Sequence, residues 1–164
     1  MFPDDIQRLA ASVIAAASTR GWTVATAESC TGGLVAGALT AVAGSSAVVD
    51  RGFVTYSNAA KSEMLGVPAE TVEAHGAVSE PVARAMAGGA RVTAGVDLAV
   101  SITGIAGPGG GSAEKPVGLV HFACAGPEGL EHAARRFGDI GREQVRLESV
   151  RVALGLLLAA CEAA

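Results

Sequence analysis

The sequence predicts an α/β fold, a single three-layer α/β/α domain over residues 1–164 with a mixed sheet. Helix-like and strand-like segments alternate along the chain, so we expect helices on both faces of the sheet. Half of the 164 residues are apolar and only 17% are charged, which supplies a core for one domain. A Gly-Pro-Glu-Gly segment at residues 126–129 separates two strand-like runs and favours an antiparallel hairpin.

The first half of the chain predicts two strands and three helices. Pro3-Asp4-Asp5 starts a helix whose apolar residues repeat at helical spacing until Gly21. Residues 23–28 form a strand, and the glycine-containing turn that follows leads into a helix over residues 34–42. After the turn at residues 44–46, β-branched and aromatic residues predict a strand over residues 48–56. Ser57-Asn58 then cap a short helix that ends near residue 65.

The second half predicts two more helices, a strand and the hairpin. Gly66-Val67-Pro68 breaks the preceding helix, and we expect a loop until Ser79 caps a helix over residues 80–93. An apolar strand over residues 97–103 precedes a glycine-rich loop at residues 104–112. The hairpin strands cover residues 117–125 and 130–137. The last helix spans residues 142–160, with a buried stripe expected at Leu147, Val150, Leu154, Leu157 and Cys161, and with Arg146, Glu148 and Arg151 facing outward.

Charge and apolar patterning exclude several function classes. The formal net charge is −4 and no basic patch is interleaved with aromatics, so no nucleic-acid partner is expected. The longest apolar run, residues 152–161, is too short to span a bilayer, which takes about 20 residues, so we expect no membrane partner. The acidic start lacks the basic region of a signal peptide. We therefore expect a cytoplasmic protein, and its Ala-rich helices are compatible with a homodimer or another homo-oligomer.

Cysteines and histidines give no metal signature. Three widely spaced cysteines form neither a disulfide framework nor a zinc motif. His75, His121 and His132 stand singly, without paired helical spacing, so neither a metal nor a cofactor is predicted. Cys30 has no histidine paired with it in sequence, and we interpret it as a small packed thiol.

The turn after the first strand is the first candidate site. Ser29-Cys30 is followed by Thr31, Gly32 and Gly33 at a strand-to-helix turn. Glycines let the backbone approach a ligand, and free N–H groups at a helix start suit an anion. A capped helix start with glycines for tight packing explains the segment equally well.

A second constellation combines a serine and a lysine. Ser46 lies in the turn before the second strand, and Tyr56 and Lys61 follow that strand. A neutral lysine can take the proton of a serine hydroxyl. The positive end of a helix and burial both favour the neutral amine. From the residues alone, a solvated surface lysine is the commoner situation, and either Ser46 or Ser29 could be the nucleophile.

Two further segments are candidates for substrate binding. Thr103 and Gly104 leave the end of a predicted strand, where ligands often bind in α/β proteins, and the glycine-rich loop after them is long enough to cover a ligand. Arg142 at the start of the last helix is poorly placed for the helix dipole. It is therefore a candidate to face an anion, although an ordinary exposed arginine explains its position as well.

Taken together, these motifs resemble a known family. TAESCTGG, GSS, YSNAAK, GAVSEPVARAMA and SITGIAGPGGGSAEKPVG occur in this order. Together they resemble the C-terminal domain of the competence-damage protein CinA, over about residues 26–158. The chain has no room for the molybdopterin-binding-like domain that precedes this unit in two-domain members. The resemblance therefore implies a stand-alone nicotinamide-nucleotide amidase.

The resemblance implies hydrolysis of nicotinamide mononucleotide to nicotinic acid mononucleotide and ammonia, without a metal, in pyridine nucleotide recycling. It places the Ser–Lys pair on Ser46 and Lys61, with support from Ser29, Tyr56, Thr103 and Arg142. The family's Gly-Asp-Arg segment is altered here, because Ile140-Gly141 separates Gly138-Asp139 from Arg142. Two other functions remain open: an amidohydrolase for another small amide, and a non-catalytic nucleotide-binding or competence-associated interaction module.

Overall fold

A computed structural model describes residues 1–163 as three layers, with a five-stranded mixed sheet between two helical layers. The predicted fold class is confirmed. The elements in chain order are α1 (Asp4–Arg20), β1 (Val24–Glu28), α2 (Leu34–Thr40), a 3₁₀ turn (Ser45–Ala47), β2 (Val49–Val54), α3 (Asn58–Leu65), α4 (Ala69–His75), α5 (Glu80–Ala94), β3 (Leu98–Gly104), β4 (Leu119–Gly126), β5 (Gly129–Arg136) and α6 (Arg142–Ala163).

The sheet has the strand order β2-β1-β3-β4-β5. The first three strands of this order run parallel, while β3, β4 and β5 pair antiparallel. The hairpin around residues 127–128 forms as predicted, with Gly126 opposite Gly129. Because the chain leaves β1 for β2 on one side and then returns to β3 on the other, β1 is the topological switch point of the sheet. Ligands of open α/β sheets often bind at such a point.

The two faces of the central strands carry different residues, and each face buries its own core. One face presents larger apolar side chains, including Leu98, Val100 and Ile102, to α1, α2 and α6. The opposite face presents Ala25, Ala27 and Ala99, and α5 packs close against it with Met86 and its small residues. This alternation follows from the two-residue period of a strand and explains why Ala-rich segments form the central strands.

Two local predictions were wrong, and the predicted Ser57-Asn58 cap is narrowed to one residue. The segment after Pro68 is not a loop, because Ala69–His75 forms the short helix α4. The cap of α3 is Ser57, whose Oγ accepts from the N–H of Ala60 at 3.0 Å, and Asn58 is already the first helical residue. On α6, the buried position is Val145 rather than Leu147, and Arg146 does not face outward but lies half-buried against the turn after β1.

No helix among residues 1–163 combines the length and the apolar character that a membrane crossing requires.

Candidate active site

The candidate site lies at the carboxyl ends of the three parallel strands. Glu28 of β1 pairs with Val54 of β2 and with Ile102 of β3, so the residues that follow these strands meet at one edge. A cavity of about 220 Å³ opens there. Its lining includes, from the sequence-predicted residues, Ser29, Tyr56, Lys61, Thr103, Gly104 and Arg142. The topology thus brings six of the predicted site residues to one cavity, although they lie up to 113 residues apart in sequence.

Lys61 is almost fully buried at 1% exposure, and its amine is surrounded by neutral oxygens. Its Nζ lies 3.1 Å from Ser29 Oγ, 2.9 Å from the Thr55 carbonyl oxygen and 3.4 Å from that of Tyr56. Among residues 1–163, no carboxylate forms a salt bridge with it. Burial lowers the pKa of Lys61 below its ordinary value of 10.5. The charged ammonium loses its hydration when it is buried, and this loss favours the neutral amine.

The contacts of Nζ suit a neutral amine that faces Ser29. A neutral amine has two N–H donors and one lone pair. When the two carbonyl oxygens of Thr55 and Tyr56 take the two donors, the lone pair is left for the hydroxyl of Ser29. In that protonation state Ser29 donates to Nζ, which is the arrangement required for transfer of a serine proton to a lysine base.

The predicted pair of Ser46 and Lys61 does not form. Ser46 is exposed and lies in the 3₁₀ turn that precedes β2, whereas Lys61 follows that strand. A six-residue strand is about 20 Å long, so Ser46 lies at the opposite edge of the sheet. The contact that the predicted role of Ser46 as the nucleophile requires is therefore not formed, and Ser29 is the serine in contact with Lys61.

The turn that carries Ser29 is held by the buried carboxylate of Glu28, a residue of the predicted turn to which the sequence assigned no role of its own. Glu28 Oε1 accepts from Thr31 Oγ1 at 2.7 Å and from the N–H of Val35 at 2.8 Å. Its Oε2 accepts from Thr26 Oγ1 at 3.1 Å and from the N–H of Ala36 at 3.0 Å. Glu28 thus satisfies the first free N–H groups of α2. An acidic residue before a glycine turn and a helix was the available signal.

The predicted anion-binding turn has a different internal arrangement from the one expected. The side chain of Thr31 is directed to Glu28 and not to the cavity. Gly32 and Gly33 adopt φ values of +56° and +101°, which favour glycine, and they shape the turn without lining the cavity. Among residues 1–163, the backbone N–H groups of Cys30 and Thr31 donate to no other residue.

Cys30 lines the cavity, but its thiol is not poised for nucleophilic attack. The side chain is buried, and burial raises the pKa of Cys30 to about 12. Because the thiolate is the nucleophilic form of cysteine, the thiol beside Ser29 stays protonated at neutral pH.

Arg142 and Tyr56 form the mouth of the cavity. Arg142 Nη1 donates to the Gly107 carbonyl at 2.8 Å, and its Nη2 donates to the Tyr56 hydroxyl at 3.1 Å. Tyr56 is 61% exposed, so its ring borders the entrance. Arg142 also lines a wider groove of about 590 Å³ next to the cavity, together with Arg146. An anionic group outside the cavity can therefore reach a guanidinium.

The third strand contributes the far wall. Thr103 is buried, and its Oγ1 donates to the Ala77 carbonyl at 2.9 Å. This hydrogen bond joins β3 to the segment before α5, which also lines the cavity. A side chain at Gly104 would collide with Val120, at 2.6 Å, so this position requires glycine on packing grounds. Thr103 and Gly104 therefore shape the wall of the cavity.

A histidine pair lies one strand away from the site. His121 is opposite Thr103 in the sheet register, and its Nδ1 lies 3.0 Å from Nε2 of His132. Burial, and secondarily His132, lower the pKa of His121. Sequence spacing did not reveal this pair, because the hairpin brings the two residues together. Among residues 1–163, no three His, Cys, Asp or Glu side chains converge as metal ligands.

A comparison with family models matches residues 6–161 to the CinA C-terminal domain. The chain belongs to the CinA C-terminal domain family. Curated members of the family include a protein of Enterobacter agglomerans named nicotinamide-nucleotide amidohydrolase PncC. It is 56% identical over 144 residues, which cover 88% of this chain and 88% of that protein.

Other relatives of the family are longer. A CinA-like protein of Anaeromyxobacter dehalogenans (strain 2CP-C) is 60% identical over 146 residues, which cover 88% of this chain but 35% of the relative. The chain therefore spans about a third of the length of such CinA-like proteins.

Solved structures of the family have the same fold. The competence/damage inducible protein CihA from Agrobacterium tumefaciens superposes with a TM-score of 0.96 at 58% identity, over 98% of both chains. A CinA superfamily protein from Klebsiella pneumoniae 700603 gives a TM-score of 0.92 at 40% identity, over 97% of this chain and 99% of the other. The resemblance inferred from the motifs is thus confirmed at the level of family and fold.

Proposed function

We propose that this protein is an amidohydrolase that converts nicotinamide mononucleotide to nicotinic acid mononucleotide and ammonia, with Ser29 as nucleophile and Lys61 as base. The observation that carries the proposal is the buried contact between Lys61 Nζ and Ser29 Oγ at 3.1 Å, inside a cavity. The 56% identity to a relative named nicotinamide-nucleotide amidohydrolase supports the choice of substrate.

The first half of the proposed reaction acylates Ser29. Neutral Lys61 takes the hydroxyl proton as Ser29 Oγ attacks the carbonyl carbon of the amide. The negative charge that develops on the carbonyl oxygen is stabilised by backbone N–H donors, for which those of Cys30 and Thr31 are available. The carbon–nitrogen bond then breaks, and the Lys61 ammonium returns its proton to the leaving nitrogen, which departs as ammonia.

The second half hydrolyses the ester. Lys61, neutral again, takes a proton from water as the water oxygen attacks the ester carbonyl. The carbon–oxygen bond to Ser29 breaks, and Lys61 returns the proton to Ser29 Oγ. The carboxylic acid that forms loses its remaining proton to solvent and leaves as the carboxylate. One lysine thus serves both steps because its proton alternates between Nζ and the reacting oxygens or nitrogen.

The sizes and charges around the cavity fit a nucleotide that enters ring first. A cavity of about 220 Å³ lies below the range of about 300–1,000 Å³ that holds a whole drug-sized ligand, so a small ring and its amide suit the interior. Arg142 at the mouth then offers a charge-assisted contact to a phosphate that remains outside.

The test is release of ammonia, paired with chromatographic detection of the acid product. We expect turnover of nicotinamide mononucleotide and much weaker turnover of nicotinamide riboside, which lacks the phosphate, and no effect of a chelator. Preference for another amide in a substrate panel would retain the Ser–Lys chemistry but replace the substrate. Nucleotide binding without any turnover would show a binding module and refute the proposed enzyme.

A further inference from the structure

Arg146 of α6 holds the backbone of the turn that carries Ser29. Its Nε donates to the carbonyl oxygen of Cys30 at 3.1 Å, and its Nη2 donates to that of Thr31 at 3.1 Å. One planar guanidinium thus binds two successive peptide carbonyls, 116 and 115 residues away in sequence. A rigid fork of donors fixes orientation better than a single flexible amine does.

These two bonds, together with the one from the N–H of Leu34 to the Thr31 carbonyl at 3.1 Å, constrain where the N–H groups of the turn point. In a trans peptide unit the C=O and the following N–H point in opposite directions. When the carbonyls of Cys30 and Thr31 face Arg146, the N–H groups of Thr31 and Gly32 face away from α6. The N–H of Gly32 accordingly donates to the Ser29 carbonyl at 3.0 Å, while that of Thr31 donates to no other residue among positions 1–163.

Arg146 is not required to hold α6 on the sheet. Residues Val145, Val150 and Leu154 are fully buried in the core beneath that helix. Arg151, one and a half turns further along, attaches the same helix to Asp5 of α1. The contacts of Arg146 serve the turn after β1, to which Glu28 also binds through Thr31, so a carboxylate and a guanidinium both hold the turn.

We propose that Arg146 is a positioning residue for the proposed hydrolysis. By holding the carbonyls of Cys30 and Thr31, it fixes the turn that carries Ser29 and leaves the N–H group of Thr31 free for the oxygen of the tetrahedral intermediate. The inference rests on the proposed amidase function, because it assigns the N–H group of Thr31 to that intermediate. In this role Arg146 acts through the turn and not through a contact with substrate.

The kinetic test compares Arg146→Met with Arg151→Met, the matched control on the same helix. Loss of one oxyanion donor costs about 10²–10³ in kcat, and a displaced donor costs less. We therefore expect Arg146→Met to lower kcat about 10- to 100-fold with KM nearly unchanged. Arg151→Met should lower Tm and leave kcat near wild type. Arg146→Lys, which keeps the charge but not the fork, should recover only part of kcat.

Three kinetic outcomes overturn the proposal. Wild-type kcat in Arg146→Met would show that the turn keeps its geometry without the guanidinium. A raised KM with unchanged kcat would make Arg146 a substrate contact instead. An equal loss of kcat in Arg151→Met would show that the loss in Arg146→Met comes from weaker attachment of α6 and not from a change in the turn. Should Arg146→Met fail to fold, Arg146→Gln, which keeps a donor, replaces it under the same criteria.

A second measurement separates this inference from the proposed function. Amide hydrogen exchange and ¹⁵N-resolved shifts of Cys30 and Thr31 report the turn in the substrate-free protein. We expect both residues to change in Arg146→Met and not in Arg151→Met. Inactivity of the wild type toward every amide refutes the proposed function while this comparison still decides the role of Arg146 in the turn. Unchanged shifts and exchange in Arg146→Met overturn that role.

Discussion

Lys61 Nζ and Ser29 Oγ lie 3.1 Å apart in a buried contact, although 32 residues separate them in sequence. The contact exists because Ser29 follows β1, Lys61 lies in the first turns of α3, which follows β2, and the two parallel strands end at the same edge of the sheet. This relationship determines which serine and which protonation state the chemistry requires, and the predictions below depend on it.

The two serines that the sequence left in competition have opposite expected phenotypes. Ser29→Ala removes the hydroxyl beside Lys61 and should lower kcat by about 10⁴-fold or more, as loss of a serine nucleophile does elsewhere. Ser46→Ala, at the far edge of the sheet, should retain wild-type kcat and KM. Mass spectrometry of a quenched reaction should find any acyl adduct on the peptide that contains Ser29. An adduct on Ser46 would refute the assignment.

The pH dependence of activity should report the neutral form of Lys61. Because the base must be unprotonated, kcat/KM should fall on the acid side with an apparent pKa below the ordinary 10.5. Lys61→Met should lower activity by about 10²–10⁴-fold, and the activity that remains should no longer fall on the acid side with this pKa. Lys115→Met is the matched control, since Lys115 is the other lysine of the chain and donates to the His75 carbonyl. An acid limb that persists in a residually active Lys61→Met enzyme would assign that limb to another group.

Stability should also depend on the titration of Lys61. Its native pKa lies below its unfolded value, so between the two the unfolded chain binds more protons and the free energy of unfolding rises with pH. At a pH below the native pKa, Lys61 is charged in both the folded and the unfolded protein, and the full cost of burying the cation opposes folding. Lys61→Met should therefore be more stable than wild type at neutral pH, by a margin that shrinks toward pH 10.5. Urea unfolding at several pH values measures this margin, and one that grows with pH would contradict the shift.

Arg142 should contribute to binding more than to chemistry. Removal of a charged hydrogen bond costs about 1.5–3 kcal/mol, so Arg142→Ala should raise KM roughly 10- to 100-fold for the phosphorylated substrate with a smaller change in kcat. Tyr56→Phe removes the hydroxyl that accepts from Arg142 and should have a weaker effect in the same direction. Arg136→Ala on β5 is the exposed control. Equal effects on a substrate without phosphate would show that Arg142 supports the cavity and does not bind the anion.

Cys30 should be dispensable for turnover. Burial holds its pKa at about 12, so the thiolate is scarce at neutral pH. Cys30→Ala should keep kcat within about an order of magnitude and lose some stability, as expected for a small buried group. Native protein should react slowly with iodoacetamide at this position. Complete loss of activity in a folded Cys30→Ala variant that still binds nucleotide would refute this prediction.

Most elements could be predicted from the sequence because their signals are local. These signals include the apolar spacing of helices, the cap at Ser79 and the hairpin turn at residues 126–129. Each depends on residues that lie only a few positions apart in sequence. The short helix α4 was missed because it has no buried residue, so no apolar periodicity marked it. The glycines of the turn after β1 and Gly104 of β3 were named as candidate binding positions. The structure shows that positive φ angles favour glycine in the turn, and that packing against Val120 requires it at Gly104.

The family, the α/β class and the residue types at the site could be derived from the sequence: a lysine, several hydroxyls, an arginine and two glycine-rich segments. The folded structure was needed to establish that Ser29 contacts Lys61, that Arg146 binds the carbonyls of Cys30 and Thr31, and that His121 contacts His132. The physical reason is the same in each case. These contacts join residues on different strands or helices, and their distances depend on strand order and register, which no local pattern of residues specifies.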